Sequence, residues 1–136
     1  MVALTDDRNT PRREGLDFVF PMAANELIYA GAIVMLNADG RARKGAAATG
    51  QRAAGIAQER KQNGATPGAE TVRVWPGIFK LANATAADAI TQADVGADVF
   101  ILDDQTVART NGSGTRSVAG RCLGVEPDGV WVRIGL

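Results

Sequence analysis

Short apolar runs separated by turn residues recur along the chain, and most of them read as β-strands. Gly15-Leu16-Asp17-Phe18-Val19-Phe20, ended by Pro21, predicts the first strand. Residues 32–36 form a continuous apolar run closed by the turn signal Asn37-Ala38-Asp39-Gly40. Residues 53–57, 99–102 and 106–109 predict further strands. Residues 71–75 alternate with period two; Pro76-Gly77 breaks the run, residues 78–81 resume it, and residues 130–134 alternate in the same way. Residues 45–50 are small and predict a loop. Residues 58–70, with Asn63-Gly64 and Pro67-Gly68, predict a long exposed loop or hairpin tip. Only the Ala-rich stretch at about residues 85–93, with Asp88 near its start, predicts a short helix. Residues 1–14 are polar and aperiodic and predict a flexible N-terminal arm, leaving residues 15–136 as a single β-rich domain.

The strand pattern repeats. Gly31-Ala32-Ile33-Val34-Met35-Leu36, followed by Asp39, resembles Gly96-Ala97-Asp98-Val99-Phe100-Ile101, followed by Asp104, at an offset of 65. Gly55-Ile56 then matches Gly124-Val125, and residues 72–78 match residues 130–136. Two copies of a few short strands can bury their apolar faces as a small β-barrel or sandwich built from two similar halves. The mainly β fold class rests on that pattern.

Composition narrows the chemistry. The 136 residues are the size of one domain, and 46% are hydrophobic, enough for a core. Fifteen basic residues balance fifteen acidic ones, so no global positive field draws nucleic acid directly. There is no His, which removes the commonest general base and metal ligand. The single Cys122 lies in an apolar run and reads as a small buried hydrophobe. No apolar stretch reaches the ~20 residues of a membrane span. Residues 1–8 lack the basic and apolar regions of a signal peptide, so the expectation is a protein made in a cytoplasm and not secreted.

Lys44, Lys61 and Lys80 are the only lysines, and none stands in a Walker-type phosphate loop. Gly112-Ser113-Gly114 leads into no helical pattern and reads as a turn. Asp6-Asp7 and Asp103-Asp104 lie in the arm and in a predicted hairpin turn, not in an apolar pocket that would raise a carboxyl pKa. No catalytic, cofactor-binding or metal-binding residue follows from the sequence, and the expectation is a protein that is not an enzyme and takes no small-molecule substrate.

What remains is surface. Arg41, Arg43, Lys44, Arg52, Arg60 and Lys61 stand against Glu59 alone in residues 41–61, whereas Asp88, Asp94, Asp98, Asp103 and Asp104 have no base among them in residues 83–104. These blocks are either ordinary solvated surface or the two edges of a head-to-tail contact between copies. If Val72, Val74, Val130, Val132 and Ile134 face a core, then Arg73 with Trp75, and Trp131 with Arg133, lie on the opposite faces. Tryptophan and arginine concentrate in the energetic centres of interfaces; a second layer of the same domain could equally cover them.

Taken together, residues 18–21, 31–36, 55–57, 72–79, 94–102, 120–125 and 130–136 resemble the small capsid cement, or head-decoration, proteins of tailed bacteriophages and prophages. Some members of that family carry a RecA/RadA recombinase label. The resemblance covers about residues 15–136, and the loop at residues 58–70 is longer than its pattern. It implies a β-rich homotrimer that docks on the exterior of the expanded capsid, in the virion, with the major capsid protein as partner and without catalysis. Residues 1–14 would then be placed to add a strand to a coat-protein sheet edge. A tail or fibre component is the alternative structural role. A recombination protein is a remote one, since a RecA-like motor needs the phosphate loop that the lysines do not form.

Overall fold

The computed structural model describes residues 2–12 and 15–135. Met1, Arg13 and Glu14 of the expected arm, and Leu136 of the closing strand motif, lie outside the described residues. Residues 2–12 are exposed throughout and belong to no strand.

The chain folds as two β modules in tandem. The first comprises β1 (Phe18–Pro21), β3 (Ile33–Leu36), β4 (Ala42–Lys44), β5 (Arg52–Ala57) and β7 (Thr71–Trp75), in the order β1-β7-β5-β3-β4. The second comprises β8 (Gly77–Asn83), β9 (Asp98–Ile101), β10 (Thr106–Ala108), β11 (Val118–Glu126) and β12 (Gly129–Ile134), closed into a barrel in the order β8-β12-β11-β9-β10. The two orders are the same. Closure of the second barrel is a parallel seam, Thr106 beside Ala82 and Val107 beside Asn83. Its counterpart in the first module is a single parallel bridge, Met22 beside Ala42, at which the Ala23 N–H donates to the Ala42 carbonyl at 2.9 Å. The mainly β fold in two similar halves is therefore a duplicated barrel, closed in the second copy and joined by one bridge in the first.

Register makes the correspondence residue by residue. Val34 pairs with Gly55 and Met35 with Ala53; 65 positions on, Val99 pairs with Gly120 and Phe100 with Val118. The offset of β7 and β12 is 58: Ala57 faces Val74 as Cys122 faces Val132. The counterpart of Gly55 is thus Gly120, not Gly124 as the sequence match suggested. Both glycines sit where the ladder register slips, and a Cβ on either would strike a backbone carbonyl, that of Trp75 or that of Arg133. The physical requirement is close approach of two strands, and it marks the equivalent position better than local sequence does.

The short helical segment lies where expected, as two 3-10 turns, Ala86–Asp88 and Gln92–Asp94, the second held by a Thr91–Asp94 capping box. The long loop at residues 58–70 contains a two-residue strand, β6 (Lys61–Gln62), which pairs with β2 (Leu27–Ile28). Asn63, buried beside it, donates from Nδ2 to the carbonyls of Ala23 (2.9 Å), Thr66 (3.1 Å) and Met22 (3.3 Å).

Period-two alternation accounts for the cores. Val34, Leu36, Ala54, Val72 and Val74 line the first module with Met22 and Phe20. Val99, Ile101, Val107, Val130, Val132 and Ile134 line the second. β3 is buried on both faces: Ile33 and Met35 point out of the first module and, with Ile56 of β5, join the core of the second. Backbone contacts fix this junction. The Ile33 N–H donates to the Asp104 carbonyl at 2.8 Å, and Ser117 Oγ takes the Gln51 N–H and donates to the Ala48 carbonyl.

Candidate interaction surface

The inward valines of β7 and β12 leave their alternate residues on the outside, and no second layer of the described residues covers them. Trp75 is 41% exposed and Trp131 is 36% exposed. Each indole is held in place by a carboxylate that also holds a cation. Asp17 accepts from Trp75 Nε1 at 3.1 Å and from Arg73 Nε and Nη2 at 3.2 and 3.3 Å, a two-point guanidinium contact. Glu126 accepts from Trp131 Nε1 at 3.0 Å and lies 3.5 Å from Lys80 Nζ, which donates to Asp128 at 2.8 Å and sits 5.8 Å from the centre of the Trp131 ring. The strand register produces both clusters, because Lys80 stands directly opposite Trp131 and Val19 opposite Arg73, with Asp17 at the foot of the same strand as Val19.

These contacts set the charges. The Arg73 hydrogen bond holds the Asp17 carboxyl below its ordinary range, and the Asp128 contact raises Lys80 while Lys80 lowers Asp128. Both tryptophans are therefore fixed amphipathic plates at a protein–water boundary, with their N–H groups already satisfied. A side chain ordered before binding loses less entropy when a partner arrives.

Part of each charge block is paired from outside its own segment. Asp88 pairs with Arg116 at 3.2 Å and accepts from Thr110, and Asp94 pairs with Arg109 at 3.2 Å; both bases lie outside the acidic stretch. The Arg116 contact lowers Asp88, and the Thr91 N–H lowers Asp94. In the basic stretch, Arg43 meets Glu26, Lys61 meets Glu70, and Arg60 lies over the Tyr29 ring at 5.1 Å.

Asp103 caps its hairpin turn by accepting the N–H groups of Gln105 and Thr106, and Asp6 accepts the N–H of Asp7. Cys122 is fully buried, and desolvation pushes its thiol up, so it packs as a small hydrophobe. Among the described residues, no three of His, Cys, Asp and Glu stand together as a metal site, and no helix is long and apolar enough to cross a membrane. An open apolar hollow of about 230 Å³ lies at the end of the first module, lined by Phe18, Phe20, Ala54 and Pro76. Alternation in the sequence located the tryptophans. It did not reveal the anchors: Asp17 is 58 residues from Trp75, and Glu126 and Asp128, close to Trp131 in the β11–β12 hairpin, meet Lys80 of β8 only through the strand register. Nor did it reveal the hollow, which forms where residues from three separate segments converge.

No protein-family model, curated protein or solved structure matches this chain.

Proposed function

We propose that this protein is a non-catalytic structural component of a tailed-phage virion that binds the outside of the capsid and staples neighbouring coat subunits, acting as a homotrimer. The observation that carries the reading is the pair of exposed, carboxylate-anchored tryptophans, one on each module. It is joined to the cement-protein pattern of the sequence. A coat lattice fails when adjacent subunits separate, and a small protein contacting several subunits at many equivalent sites resists that by summing modest contacts. Rigid Trp plates beside Arg73 and Lys80 supply apolar area with a polar rim, the composition of an interface centre. The exposed residues 2–12, running into β1, can order on a coat-protein sheet edge.

Co-sedimentation with expanded, undecorated capsids tests the reading. Saturable binding to capsids is the expected result. Retention on tails or fibres with none on capsids would replace it with the other structural role, and ATP hydrolysis by the pure protein would revive the recombination reading.

A further inference from the structure

The two modules meet by a junction that is not self-complementary, and counterparts of its parts recur on the opposite ends of the molecule. The outer face of β3 and β5 in the first module (Ile33, Met35, Ala53 and Ile56) packs into the core of the second. The residues at the corresponding end of the second barrel are Phe79, Leu81, Ala119 and Ile134, all in that shared core. By register, their counterparts in the first module are Phe18, Phe20, Ala54 and Pro76. Those four residues line the apolar hollow. The socket that is filled in the second module is therefore open in the first.

The plug recurs in the same way. The counterparts of Met35 and Ala53 are Phe100 and Val118, which face each other across β9 and β11. Phe100 is half-buried and Val118 is 42% exposed. The counterparts of Ile33 and Ile56 are Asp98 and Arg121, residues of opposite charge at facing register positions on the same strands. Replacing two isoleucines by an acid–base pair keeps this face soluble in a lone chain while leaving an apolar centre with a charged rim. An apolar cavity of ~150 Å³ takes a benzene ring, so the hollow has room for Phe100.

We propose that copies of this chain associate head to tail, the Phe100–Val118 face of one seating in the Phe18–Phe20–Ala54–Pro76 hollow of the next, so that the intermolecular contact repeats the intramolecular one. A contact of this heterologous kind closes into a ring when its rotation permits. The inference specifies how the self-association proposed above is made and does not depend on the capsid as partner.

The test uses the full chain and light scattering after size exclusion at ~100 μM. The wild type is expected to run as an oligomer. V118E alters an exposed strand position and is expected to run at the one-chain mass of 14.2 kDa with unchanged circular dichroism. P76E damages the socket instead and is also expected to be monomeric. An equimolar mixture of the two is expected to give a dimer, because each variant keeps the half that the other lacks. A monomeric wild type, or V118E with the wild-type mass, would overturn the inference, as would a mixture that stays monomeric although both variants are folded. If P76E does not fold, V118E alone decides. Capsid binding by V118E is read separately, so loss of the ring and loss of the capsid role are told apart.

Discussion

Asn63→Leu removes the clamp on the long loop while keeping the side chain's shape. Asn63 Nδ2 serves three carbonyls, but their losses are unequal. The Met22 carbonyl also accepts from the Gly68 N–H and that of Thr66 from the Ala69 N–H, so both keep a donor. The Ala23 carbonyl loses its 2.9 Å donor from the amide. Two hydrogen bonds forgone at carbonyls that keep a partner, plus one acceptor left without its amide, cost about 3 kcal/mol; the apolar burial of Leu returns about 1, and removal of the buried Asn63 Oδ1, which has no hydrogen-bond partner among the described residues, returns about 1 more. A net loss of about 1 kcal/mol lowers the melting temperature by roughly 4 °C for a chain of this size. Thermal melts by circular dichroism measure it, and trypsin cleavage at Arg60 and Lys61 should accelerate in parallel. A variant melting at or above the wild-type temperature would show that the loop is held by its β2–β6 pairing and not by Asn63.

Three further expectations are tied to named contacts. Gly120→Ala places a methyl against the Arg133 carbonyl in a paired strand and should destabilise by about 1–3 kcal/mol in urea unfolding, whereas Gly124→Ala, whose Cβ finds only the Trp131 ring at ordinary contact distance, should cost less; equal effects would refute the register equivalence. Asp17, Asp88, Asp94 and Asp128 all titrate lower in the folded protein, so the stability they contribute is fully present above the unfolded carboxylate value of about 3.9 and is lost as pH falls through the lowered folded values. Melting temperature should therefore drop below about pH 4, and Arg116→Met should flatten part of that drop; an identical pH profile would contradict the Asp88 assignment. Trp75→Ala and Trp131→Ala should each weaken capsid binding by ~30-fold, the effect of losing an interface anchor worth about 2 kcal/mol, while melting stays near wild type.

Much of the fold was legible because its apolar faces are simple. Alternation at Val72 and Val74, and at Val130, Val132 and Ile134, determined which side of each strand is buried. The offsets of 65 and 58 seen in the sequence are the offsets of the strand registers. The Gly124 match failed because glycine identity was read without its cause: of Gly120 and Gly124, it is Gly120 that, like Gly55, meets a partner strand's carbonyl closely enough to exclude a side chain. The charge blocks overstate local imbalance for a related reason. Arg109 and Arg116 pair with two of the acids, and Glu26 and Glu70 with two of the bases, from outside the segments that were summed, and pairing across a sheet carries no signature in local sequence. The Asp17 anchor of Trp75, the Lys80 contact beside Trp131 and the hollow share that origin, since each is made by strands brought together from distant segments.

Duplication also explains how one chain can offer two unlike ends. Equal topology with unequal outer faces leaves the end of one module packed against its neighbour and an apolar hollow at the other, and a hydrophobic Ile33–Ile56 pair in one where the other has Asp98 and Arg121. The proposed head-to-tail contact draws on that asymmetry.

The central claim, that this chain works by gripping a coat lattice, is tested most directly by imaging expanded capsids with and without the added protein by electron cryo-microscopy. The account predicts ordered extra density on the outer surface around the local three-fold axes, with Trp75 and Trp131 at or near the contacts. Capsids that remain bare at saturating protein, or density confined to another part of the virion, would contradict it.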